Sequence, residues 1–102
     1  MAKRVRRRRS NVEQLKAKAE KLRLEFAETD LAVAMTFVRL ARFYFQVNHP
    51  ERAMKLLWDA RHAAYTVEKI VSRLSGEIAK TFIGKLTALI EAIDEARKYG
   101  PT

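Results

Sequence analysis

The sequence predicts an all-α protein, an antiparallel bundle of about four helices in one domain. Three observations predict it. Gly 3 and Pro 2 in 102 residues leave few points at which long helices can be interrupted. Apolar residues recur at alternating steps of three and four through most of the chain, the period of a helix face. The exceptions to that period coincide with helix start and stop signals.

Residues 1–9 read as a basic, flexible arm ahead of a helical domain at 10–102. Lys3, Arg4, Arg6, Arg7, Arg8 and Arg9 provide six of the 21 Lys and Arg residues, with no acid among them. The remainder carries 15 basic against 12 acidic residues, so most of the net charge of +9 is local. A run of like charge repels itself and is not expected to fold alone.

Four helices are expected at about 11–28, 31–47, 50–74 and 77–99. Ser10-Asn11-Val12-Glu13 has the form of a capping box, in which the Ser hydroxyl and the Glu carboxylate satisfy amides of the first turn. Val12, Leu15, Ala19, Leu22 and Phe26 then make one apolar stripe. Thr29-Asp30 offers a second cap. Leu31 to Val47 is apolar almost all round, which marks a central helix with neighbours on at least two sides. Asn48-His49-Pro50 closes it: Asn tolerates the left-handed conformation at a helix C-terminus, and Pro suits the first turn of the next helix. Ala53, Leu57, Ala60, Ala64, Val67, Val71 and Leu74 mark one face of the third helix. A break near Tyr65-Thr66 is one reading of this run; Ser75-Gly76 is the better one. Ile78, Phe82, Leu86, Leu89 or Ile90, and Ile93 carry the last helix to Gly100-Pro101, a stop signal.

The segment from Phe37 to Ala60 reads as a helical hairpin. Ala41 and Ala53 are small enough for two backbones to approach, and Phe37, Leu40, Tyr44, Leu57 and Ala60 fill the space around that point. Met54, Trp58 and Tyr65 fall on a second face of the third helix and are candidates for an interface.

This spacing of large, Leu, small, aromatic, small, large and small positions, from Ala34 to Val67, resembles one tetratricopeptide repeat, about a third of the chain. Phe37 stands where the family usually has Trp, Ala41 where it has Gly, Leu57 where it has Phe, and Tyr65 where Pro is common. Val71, Leu74, Ser75 and Ile78 resemble the start of a second repeat, but Thr87, Glu91 and Asp94 occupy its small and apolar positions. The resemblance implies a scaffold for binding, with Met35, Val38, Arg39, Arg42 and Phe45 on an inner face that grips a partner. The hairpin is also similar to the three-helix microtubule-interacting-and-transport domain, whose groove takes an amphipathic helix; the extra N-terminal helix expected here departs from that family.

The composition narrows the function classes. Cys 0 removes disulfide and thiol chemistry. No apolar run reaches the roughly 18 residues of a membrane span, and no secretory signal is legible, so a cytoplasmic protein is expected. Asp59 and His62 lie one turn apart, but no further ligand or base recurs at fixed spacing, and Glu91, Asp94 and Glu95 are followed by Arg97 and Lys98. No catalytic site, metal or cofactor is therefore expected. The expected activity is that of a non-enzymatic helical interaction module whose partner is another protein or a second copy. The alternative is a nucleic-acid-associated protein in which several Arg-rich arms act together on an oligomer.

Overall fold

A computed structural model describes the backbone of residues 2–100 and the side chains of residues 11–100. It contains three helices: α1 (Ala2–Gln46), α2 (Pro50–Val71) and α3 (Gly76–Arg97). They run up, down and up, and the chain is a rod of 70 × 22 × 14 Å. The length is that of α1, since 45 residues at about 1.5 Å each span nearly 70 Å.

The expectation of four helices is corrected at Thr29-Asp30. The predicted first and second helices are one. Nothing in this stretch breaks a helix: from Ala2 to Gln46 there is neither Gly nor Pro. Thr29 does not cap; its hydroxyl donates to the Glu25 carbonyl one turn back (3.0 Å), a bond made from within a continuing helix. The Ser10 capping box likewise falls inside α1. Sequence reasoning took good capping residues for a boundary where no helix ends.

The other junctions follow their local chemistry. α1 ends in a Schellman arrangement. Asn48 takes the left-handed conformation (φ 64°), its amide donates to the Phe45 carbonyl, and the His49 amide donates to the Tyr44 carbonyl at 2.7 Å. Pro50 opens α2 with Glu51 in the first turn, where its charge suits the helix dipole. α2 is unbroken at Tyr65-Thr66, where the Thr66 hydroxyl donates to the His62 carbonyl. It stops at Val71, three residues earlier than expected. Extended Ser75 and left-handed Gly76 (φ 70°) then turn the chain into α3.

The core occupies only part of the rod. Burial on α1 begins at half-buried Leu24 and continues through Ala27, Leu31, Ala34, Val38 and Ala41. Against it pack Ala53, Leu57, Ala60, Ala64, Val67 and Val71 of α2, and Phe82, Leu86, Leu89, Ile93 and Ala96 of α3. Ala41 and Ala53 are fully buried, as the hairpin requires. By contrast, every residue from Asn11 to Arg23 is exposed: α1 projects past the end of α2 by more than three turns.

Candidate functional site

The side chains expected to grip a partner do not line one groove. Val38 is buried in the core, and Met35 and Phe45 are half-buried against it. This face is occupied by α3 and the chain that follows it. Met35 borders a shallow concavity shared with Lys85 and Ala88, and the Phe45 ring lies so near Gly100 that a Cβ there would sit 3.4 Å from it. Arg42 is engaged too: its guanidinium donates to the Tyr99 hydroxyl (3.1 Å) and lies 5.1 Å from the centre of that ring. Arg39 is exposed. Of the residues that the repeat resemblance puts on an inner face, Met35 thus borders α3, Arg42 and Phe45 meet the residues that follow α3, and Arg39 stays exposed.

The residues expected in the hairpin core differ in burial. Ala41, Ala53, Leu57 and Ala60 are buried, and Phe37 and Tyr44 are half-buried. Leu40 is 41 % exposed and does not belong to it. One residue is 100° on a helix, so Leu40 points away from the side on which Ala41 meets α2.

Leu40 belongs instead to a feature that sequence reasoning saw only in part. Val12, Ala19, Phe26, Val33, Leu40 and Val47 recur at intervals of seven. Leu15, Leu22, Thr29, Thr36 and Phe43 recur at the same interval, three residues later in each heptad. These are the a and d positions of a coiled-coil seam, sustained over five heptads. All eleven are exposed. The inward-facing residues Ala27, Leu31, Ala34, Val38, Ala41 and Phe45 fall on b and f. The C-terminal half of α1 therefore has two apolar faces, one inside its own bundle and one outside. The N-terminal half has only the outer one. The signal was legible, because the stripe from Val12 to Phe26 was evident; the supposed boundary at Thr29-Asp30 hid its continuation.

The threonines fit an apolar seam. Thr29 and Thr36 bond the carbonyls of Glu25 and Ala32 at 3.0 and 3.1 Å, which satisfies each hydroxyl within the helix and leaves the methyl to face outward. Flanking the seam on the side of α2 are the e positions Lys16, Arg23 and Asp30. Lys16 and Arg23, with Ala19 and Glu20 beside them, line an open concavity with Lys69, Ile70 and Arg73 at the end of α2. Asp30 is half-buried, and desolvation pushes its carboxyl up from its ordinary value. Among the described residues the ion pairs are Lys80–Glu77 and Lys98–Glu95, and neither Arg23 nor Asp30 pairs with another of them.

A second exposed group lies on α2. Met54, Trp58 and Tyr65 are 45, 62 and 57 % exposed. The Trp58 ring lies edge-on to a local neighbour, His62, at 3.9 Å between centroids. His62 is thereby placed against an aromatic face, and among the described residues no three His, Cys, Asp or Glu side chains come together. No helix of the described residues is long and apolar enough to cross a membrane. The segment expected to be a flexible arm is, in its backbone from Ala2 on, the start of α1, and the side chains of Lys3, Arg4, Arg6, Arg7, Arg8 and Arg9 lie outside the described residues.

No protein-family model, no curated protein and no solved structure matches this chain.

Proposed function

We propose that this protein is a non-enzymatic helical interaction module that associates with itself and carries a basic N-terminal arm. The observation that supports this reading is the exposed apolar surface of α1. Isolated apolar residues on a surface need no explanation, but an ordered row along a whole helix is costly to leave in water. A protein that binds through packed helices rather than through a pocket is what such a row serves. A hairpin of tetratricopeptide type as its scaffold and a cytoplasmic setting belong to the same proposal.

A second reading is supported by the charge. With net charge +9, and six basic residues within the first nine, an oligomer would present several clusters to a polyanion at once. One experiment addresses both. Light scattering coupled to size-exclusion chromatography is run on the full chain and on a chain lacking residues 1–9, with and without a short DNA or RNA duplex. Self-association that survives the deletion supports the interaction module. Nucleic-acid binding that falls steeply with salt and disappears with the deletion supports the second reading. A monomer under every condition contradicts the first.

A further inference from the structure

The geometry points to a specific occupant for the outer face of α1: the same face of a second copy, packed antiparallel with Val12 of one chain opposite Phe43 of the other. This rests on the self-associating reading above and deepens it.

The stripe is complementary to itself in this orientation. In an antiparallel coiled coil each a position packs against a d position of the partner. If facing residue numbers add to 55, Val12 meets Phe43, Leu15 meets Leu40, Ala19 meets Thr36, Leu22 meets Val33 and Phe26 meets Thr29. Each layer occurs twice by symmetry. Bulk is matched: Ala meets Thr, and the largest ring in the middle meets a small residue rather than its own copy. The exposed projection of one chain, which has no cover in its own fold, lies along the outer face of the other chain's bundle. The hydroxyls of Thr29 and Thr36 are already bonded and are not orphaned by burial.

Charge separates the antiparallel from the parallel orientation, and the apolar layers set the register. In the antiparallel pair Arg23 faces the partner's Asp30, twice, bringing that half-buried residue to a concavity lined by Lys16, Arg23, Lys69 and Arg73 against a single acid, Glu20. Lys18 faces the partner's Arg39 in the same register, an exposed like-charge pair whose long side chains can splay into water. Sliding by one heptad one way sets Lys16 on Asp30 twice, but also Arg23 on Arg23 and Glu25 on Glu25, and carries Leu40 and Phe43 off the apolar stripe that starts at Val12. Sliding the other way sets Glu25 on Arg39 twice and Asp30 on Asp30 once, but leaves Val12 opposite Pro50, beyond the end of α1 and so uncovered. A parallel pair fares worse: Lys18 faces Arg23, Glu25 faces Asp30, Phe26 stacks on Phe26, and both arms, with six basic residues each, emerge at one end. Antiparallel packing sends the arms to opposite ends, a two-fold interface with the same patch on both chains.

The absence of cysteine makes the test direct. Leu15→Cys and Leu40→Cys are prepared separately, one with a mass tag, and air-oxidised alone and mixed. The expected result is a mixed disulfide between the two variants and little product from either alone, since a disulfide needs Cα atoms within about 7 Å. The wild-type mass should be twice 11.8 kDa by light scattering. Leu22→Glu, on the exposed projection and outside the core, should raise the dimer dissociation constant roughly 100-fold or more while circular dichroism still reports a folded bundle. Self-crosslinked Leu15→Cys overturns the antiparallel seam. So does a dimer that tolerates Leu22→Glu but is dispersed by Trp58→Asp; self-association through α2 would then stand without it. A wild-type monomer at several hundred micromolar overturns the seam and the self-association reading together.

Discussion

Leu57 and Trp58 are adjacent in sequence and opposite in consequence. Leu57 is 1 % exposed and sits where α1 and α2 meet; Trp58 is 62 % exposed and touches its own helix through His62. Leu57→Ala removes a fully buried branched side chain from a core that cannot collapse around the gap, because fully buried Ala41, Ala53 and Ala60 belong to the same tightly packed cluster. Such truncations cost about 2–5 kcal/mol, and about 3 is expected here. For a domain of this size that lowers Tm by roughly 10–20 °C. Trp58→Ala removes a larger residue that leaves little space behind and should cost under about 1 kcal/mol. Both are best measured in a Leu22→Glu background, so that a partner chain contributes nothing. Urea unfolding followed by circular dichroism reports the two midpoints without relying on the tryptophan. A Trp58→Ala cost equal to that of Leu57→Ala would refute the assignment of inner and outer faces on α2.

Ala53→Phe should force α1 and α2 apart at their closest approach and cost about 1–3 kcal/mol in the same assay, whereas Ala88→Phe, beside an open concavity at the surface of α3, should be tolerated. Asn48→Val places a β-branched residue at φ 64° and should cost about 1–2 kcal/mol, with Asn48→Gly neutral or slightly stabilising. Asp30 gives a pH-dependent result. Its carboxyl is raised in the bundle by desolvation, so its contribution favours folding below the unfolded value and is lost as pH rises through the folded one. Asp30→Asn should therefore stabilise the monomeric background near neutral pH, with the gain vanishing in acid, yet weaken the wild-type dimer by removing the partner of Arg23. Urea midpoints against pH and sedimentation at pH 7 separate the two effects.

Much of the hairpin could be read from residues alone, because its chemistry is local. Asn48, Pro50 and the alanines at 41 and 53 specify a turn and a close contact without reference to the rest of the chain. The α-helical class followed for the same reason. Helix number did not, since Thr29-Asp30 has good capping chemistry and only the absence of a competing turn decides that the helix runs on. What packs beside the inner face of α1 is not legible locally, because it is distant in sequence: Arg42 and Tyr99 are 57 residues apart. Leu40 shows the finer difficulty. In a helix with two apolar faces, hydrophobicity alone does not say which face is inside, and the seven-residue interval becomes visible only when the helix is known to be continuous.

The central claim is that α1 has an inner face sealed by its own bundle and an outer face sealed by a second chain. Amide hydrogen exchange along α1, measured at high and at low protein concentration, tests it most directly. Amides between Ala27 and Ala41 should be protected at both concentrations, and those between Leu15 and Leu22 protected only where the dimer forms. Equal exchange of the Leu15–Leu22 segment at both concentrations, with the chain dimeric at the higher one, would contradict the claim.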